Sequence, residues 1–175
     1  MIISLEEAKN LITFPDSWTD EKIRMKLLAV EQTIRAYTNN NFQDRDYRRT
    51  ADIIGGLFLV EALTPFDVGD TVQISETALN KGLFTVASAD DSTFAVEEPV
   101  KDENDVLVTK IVYPADVVDC CVNLMEWELN NRGKIGIKSE TLSRHSVTYE
   151  DSASMFRGYP KGILSAVSHY RKVRC

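Results

Sequence analysis

The sequence is sparing with the residues that mark special chemistry. Its 175 residues include only 3 cysteines, 2 tryptophans, 5 prolines and 8 glycines, with 2 histidines. Cys120 and Cys121 are neighbours and Cys175 is the last residue, so there is no CxxC spacing. A disulfide framework is excluded, and so is a zinc set assembled from these thiols with His145 and His169. Cys120 and Cys121 read as small apolar core residues, Cys175 as a free thiol, and the compartment as reducing. The scattered glycines build no phosphate cradle; GxxxxGK[ST], GxGxxG, GxSxG and HExxH are all missing. Long apolar runs are missing too. Ile53 to Val60 and Val117 to Met125 are the longest, far below the ~20 residues that cross a bilayer. The opening Met1-Ile2-Ile3-Ser4 passes straight into an amphipathic pattern without the basic region and apolar core of a signal peptide, which predicts a cytoplasmic protein.

These absences leave no catalytic residue, metal ligand or cofactor to assign. His145 beside Arg144 reads as a solvated loop histidine, not as a base or a phosphate contact. Glu126 and Glu128 fall on different faces of a helix and cannot act as a carboxylate pair. The chain is therefore expected to work through the surfaces it presents.

What is present is an apolar content of 43%, enough for a packed core, and a net charge of −7 that is unevenly spread. Between Ile53 and Tyr113 eleven acids face three bases, a local −8, and the rest is nearly neutral with a basic ending in Arg171, Lys172 and Arg174. A step of this kind predicts two modules.

The periodicity changes at the same places. Ser4-Leu5-Glu6-Glu7 is a capping box, followed by a short helix with Leu5, Ala8, Leu11 and Ile12 on one side that stops by Pro15. Asp16 to Thr19 offers caps for a second helix. Ile23, Leu27, Val30, Ile34 and Tyr37 form its apolar face, Glu21, Lys22, Lys26, Glu31 and Arg35 its polar one, and Thr38 to Asn41 its end. From Ile53 the pattern becomes short β runs, Ile53 to Val60, Thr71 to Ser75, Leu83 to Ala87, Thr93 to Glu97 and Val106 to Tyr113, separated by turn residues. Such runs predict a small antiparallel barrel or sheet, whose acidity disfavours nucleic-acid binding. Pro114 then opens a third helix to Asn131, apolar around much of its circumference and capped by Gly133. Ile135 to Tyr149 reads as extended, and a last helix runs from Pro160. The expected fold class is α+β, a small bundle of about four helices over residues 1–50 and 114–175 with an antiparallel β module inserted at 51–113.

Three segments resemble one protein family. The opening Ile3 to Lys9, the segment Ile34 to Phe42, and the ending Gly158 to Leu164 with Tyr170-Arg171-Lys172 look like the head-to-tail connector (adaptor, or head-completion) proteins of long-tailed bacteriophages. Lys138 to Leu142 leading into Ser146 to Tyr149 also matches that family. The inserted β module departs from its simplest members. The resemblance implies a virion protein at the head-tail junction, made in the host cytoplasm, that forms a dodecameric ring beneath the portal of a DNA-filled capsid and contacts a stopper or tail-completion protein. DNA passes through the ring without specific binding. The resemblance also implies that Tyr170, Arg171, Lys172 and Arg174 face the portal, and makes Ser139, Arg144, His145 and Tyr149 candidates for neighbour or lumen contacts. The alternative is a cytoplasmic regulatory or adaptor protein whose β module binds a protein partner; an enzyme, marked by a deep polar pocket, ranks below both.

Overall fold

The fold follows from a change of period along the chain, helical at both ends and two-residue in the middle. A computed structural model describes residues 1–61, 63–131, 139–142, 145–148 and 154–173. The fold is α+β, with four α-helices among the described residues and a closed antiparallel barrel of six strands. The chain divides into two compact units, one of Met1 with Asn41–Val112 and one of Ile2–Asn40 with Tyr113–Cys175.

The barrel unit contains β1 (Gln43–Ile54), β2 (Leu57–Val60), β3 (Thr71–Ser75), β4 (Gly82–Ala89), β5 (Thr93–Val96) and β6 (Glu103–Ile111), closed in the order β1-β2-β5-β4-β3-β6. Alternate residues point inward, as the pleat requires. Ala51, Ile53, Phe58, Val60, Val72, Ile74, Val86, Phe94, Val106 and Val108 therefore share one buried core with Phe66. Phe58 and Phe94 are register partners on β2 and β5 and stack with ring centroids 4.4 Å apart; Phe66 meets Phe94 edge-on at 5.1 Å. The interior is filled by side chains, as small barrels are.

Two strand boundaries differ from the sequence-based expectation. Ile53 to Val60 is not one strand. Gly55 (φ 61°) and Gly56 (φ 84°) form a two-residue turn, and Ile54 pairs with Leu57 across it. Positive φ at both central positions is the primed turn that matches strand twist, and glycine adopts it without steric cost. The first strand also begins at Gln43, well before residue 51. Gln43-Asp44-Arg45-Asp46-Tyr47-Arg48-Arg49 is too polar to announce a strand, but β6 provides the ladder that makes it one. Between Asp44 and Arg48 the register slips and residues 45–47 bulge outward, with the Asp46 N–H donating to the Asp44 carboxylate at 3.1 Å.

The helical unit contains α1 (Leu5–Leu11), α2 (Asp20–Thr38), α3 (Ala115–Asn131) and α4 (Lys161–Leu164), the last running into a 3-10 helix, Ser165–Tyr170. The expected capping box is formed: the Glu7 N–H donates to Ser4 Oγ at 3.1 Å and the Ser4 N–H to the Glu7 carboxylate at 2.7 Å. Those bonds, the backbone one first, hold the Glu7 carboxyl below its ordinary value. Thr19 caps α2 by accepting from the Lys22 N–H, and Asn39 ends that helix in left-handed backbone (φ 48°). The last helix is shorter than its apolar spacing predicts. Gly162, in its first turn, weakens helix formation, and the chain tightens to 3-10 geometry while still burying Leu164 and Val167. Gly133, the expected cap of α3, lies outside the described residues.

The core between α2 and α3 is more polar than the periodicity predicts. Glu31, expected on the solvent side, is 1% exposed and accepts a hydrogen bond from the Tyr113 hydroxyl. Burial, with the Glu31 charge adding to it, pushes the Tyr113 phenol far up. Glu128 on α3, 2% exposed, is paired with Lys26 on α2 at 2.5 Å, while Glu126 is exposed, in keeping with the two acids lying on different faces. Cys120 and Cys121 are both buried, and burial raises the Cys120 thiol to about 11 and Cys121 further.

Two measurements check this description. The Val112 N–H donates to the Phe42 carbonyl at 3.0 Å, so the barrel unit's entry and exit lie side by side. Replacing residues 41–112 by a short glycine linker is expected to leave a helical, cooperatively melting remainder, and a product without helical circular dichroism would show that the helices need the barrel. Cys120 and Cys121 are expected to resist a thiol reagent at neutral pH until the helical unit unfolds. The thiol form is favoured in the fold, so this contribution to stability is complete below the ordinary thiol pKa and is lost as pH climbs through about 11 for Cys120. Rapid labelling of either residue in the native protein would contradict the burial.

Candidate functional site

Tyr170 to Lys172 are tied to the end of α2. After the 3-10 helix the backbone runs beside the C-terminal end of α2, and the asparagines that stop α2 hold it there. The Lys172 N–H donates to the Thr38 carbonyl at 2.8 Å, Asn39 Nδ2 to the Lys172 carbonyl at 3.1 Å, and Asn40 Nδ2 to the Tyr170 carbonyl at 3.3 Å. A helix end needs partners for its last carbonyls, and this segment supplies one. Tyr170 is tied at its side chain as well: its hydroxyl donates to Asp116 Oδ1 at 3.0 Å, while His169 Nε2 lies 3.2 Å from Asp116 Oδ2. Loss of water around the phenol, and then the bond to Asp116, raise its pKa.

A second wall comes from a hairpin, β9 (Met155–Phe156) and β10 (Tyr159–Pro160). Its two turn residues, Arg157 (φ 52°) and Gly158 (φ 83°), again form a primed turn, with Phe156 paired to Tyr159. Phe156 meets Tyr37 of α2 edge-on, with centroids 5.4 Å apart.

Between these walls lies a groove of about 910 Å³. Four cations line it, Arg157, Lys161, Arg171 and Lys172, around the aromatic pair Tyr37 and Phe156, and no acidic side chain does so among the described residues. Arg171 stands over the Tyr37 ring at 5.2 Å and Arg157 over Phe156 at 5.9 Å. Stacking on a ring face pre-organises a guanidinium while leaving its fork of N–H donors available to a carboxylate. The site is built to receive an anionic group that also carries apolar surface. It contains no cysteine and no histidine, and no grouping of His, Cys, Asp and Glu suited to a metal ion occurs among the described residues.

Of the residues singled out in the sequence, the structure brings Arg171 and Lys172 together in this groove, with Tyr170 anchored just before it; Arg174 lies outside the described residues. Ser139 and His145 fall in another hairpin, β7 (Ser139–Leu142) with β8 (His145–Thr148), where Ser139 pairs with Thr148 and His145 with Leu142. Arg144 and Tyr149 lie outside the described residues. Sequence reasoning missed Tyr37, Phe156, Arg157 and Lys161. Tyr37 falls on the apolar face of α2 by its spacing, yet it is only half-buried. Arg157-Gly158 between two short apolar pairs is the turn signal that could have located the hairpin. A scan of protein-family models returns no match for this chain, and a search of curated proteins finds no significant relative. No helix among the described residues is long and apolar enough to cross a membrane.

Removing one anchor tests how the groove is held. Asn40→Ala deprives the Tyr170 carbonyl of its donor, which is expected to cost the helical unit about 1 kcal/mol. It should also speed tryptic cleavage after Arg171 and Lys172. Cleavage at the wild-type rate would mean the segment is held without that bond.

Proposed function

We propose that this chain is a subunit of a closed ring that docks beneath the portal of a tailed-phage capsid, extends its DNA channel and joins the head to the stopper or tail. In this reading the helices form a small bundle, the body of the ring, and the barrel is a module inserted into it. The observation that carries the proposal is the groove at the C-terminal segment, where the chain resembles the connector family. It offers arginines stacked on aromatic rings, chemistry enriched in protein-protein contacts. The barrel unit supports the same reading. Its fourteen acids against six bases over residues 41–112 give a net −8, so the two units carry unlike surfaces. Rings are built by joining unlike patches head to tail. An acidic module beside a channel also lets a polyanion pass without adhering.

The test is native mass spectrometry with negative-stain microscopy of the protein mixed with the portal ring of its own genome. Wild type is expected to cap the portal as a ring. Arg171→Glu with Lys172→Glu, which leaves the backbone anchors in place, is expected to weaken capping by about tenfold or more. A wild-type protein that ignores the portal would overturn the proposal in favour of an adaptor whose β module binds a protein partner.

A further inference from the structure

The groove's cations and rings call for an occupant with the complementary chemistry, carboxylates beside apolar side chains. Acids are plentiful on the barrel, but many are already engaged. Glu103 accepts from the Thr77 hydroxyl and from the N–H groups of Ala78 and Leu79. Asp102 accepts from the Gly55 N–H and Asp52 from the Asp105 N–H. Asp70 binds Lys110 at 2.5 Å, and Glu98 accepts from the Thr85 N–H.

One place differs. The β4–β5 turn, with Asp90 and Asp91, is joined to the segment after β2: the Thr64 N–H donates to the Asp91 carbonyl at 2.9 Å, the Thr64 hydroxyl to the Asp90 carbonyl, and the Val60 N–H to the Ser92 carbonyl at 2.9 Å. Backbone bonds thus fuse two loops into one projection. Its surface carries Glu61, Asp90 and Asp91, whose side chains make no hydrogen bond or ion pair among the described residues. Beside them stand Leu63, 73% exposed, and Leu59, 42% exposed. Two exposed leucines among three unengaged carboxylates make a surface short of a partner. The groove offers the converse, four cations around two aromatic rings, with Val173 at its edge 88% exposed.

We infer that the groove of one copy receives the projection formed by Glu61, Leu63, Asp90 and Asp91 of a second copy. The carboxylates meet Arg157, Lys161, Arg171 and Lys172, and the leucines cover Tyr37, Phe156 and Val173. Each copy then carries one donor patch and one acceptor patch, so the contact is heterologous and propagates until a ring closes. This rests on the reading of the chain as an assembling subunit, and it moves Arg171 and Lys172 from the portal face that the resemblance implies to the joint between neighbours. Nucleic acid is the weaker candidate for the groove, because the acidic barrel repels phosphates and the exposed leucines would stay uncovered.

The experiment uses the full chain without portal, by sedimentation velocity over a concentration series at low ionic strength. Wild type is expected to associate, and less so as salt is raised. Asp90→Lys with Asp91→Lys, and separately Arg171→Glu with Lys172→Glu, should each weaken association about tenfold or more. An equimolar mixture of the two variants should recover it, because each then presents the charge the other lost; recovery also excludes misfolding as the cause. A wild type that stays monomeric throughout, a reversal variant that associates as wild type does, or a mixture that fails to recover overturns the inference. A short DNA duplex that binds wild type and not the Arg171→Glu, Lys172→Glu variant, with no self-association, assigns the groove to nucleic acid instead. Portal capping by a wild type that remains monomeric alone would leave the function standing and remove only this joint.

Discussion

The pairing of β1 with β6 is the constraint on which the rest of the architecture turns. These are the first and last strands of the barrel unit, and their antiparallel ladder, from Gln43 opposite Ile111 to Ile53 opposite Glu103, both closes the barrel and brings its two chain ends together. Closure removes the exposed edges that would otherwise invite pairing with other chains. The Val112 N–H, bonded to the Phe42 carbonyl, extends that closure to the residues flanking the two strands. Because the barrel's own hydrogen bonds hold its two ends together, little loop-closure entropy is left to be lost there. The bulge at residues 45–47 absorbs the length mismatch between a twelve-residue and a nine-residue strand.

The helical unit is fixed by a different device. Burying Glu31 and Glu128 between α2 and α3 brings no large gain in stability, since desolvation consumes most of what the partners return. What these groups supply is register. Glu31 must meet the Tyr113 hydroxyl and Glu128 must meet Lys26, so sliding one helix along the other would strand a carboxylate in an apolar core. With α2 set in this way, its final turn presents Thr38, Asn39 and Asn40 where the end of the chain can bind them. The groove is a consequence of that placement.

Electrostatics then separates the two units. Many of the barrel's acids serve its own loops, and three that make no such bond among the described residues, Glu61, Asp90 and Asp91, lie beside exposed leucines. The cations of the groove all fall within residues 157–172, and aromatic rings hold its two arginines in place, Phe156 from the same stretch and Tyr37 from far earlier in the chain. Both surfaces have the mixture of charge and apolar area that protein contacts use.

Local signals determined much of this protein. The capping box at Ser4, the long period of α2, the asparagine stop, the apolar circumference of α3 and the strands at Thr71–Ser75 and Thr93–Val96 were legible because each is written within a few neighbouring residues. The α+β class and the acidic character of the β module followed from them. What the sequence could not determine were features whose partners lie far away. The polar first half of β1 becomes a strand only because β6 is there to pair with it, and Glu31 becomes a core residue only because Tyr113, 82 positions later, brings a hydroxyl to it. Of the groove, Arg171 and Lys172 stood out as charges, whereas Tyr37, Phe156, Arg157 and Lys161 did not, because a half-buried aromatic and an isolated cation acquire meaning only from what stands opposite. Periodicity reports which side of an element faces inward. Tertiary packing alone decides what it faces.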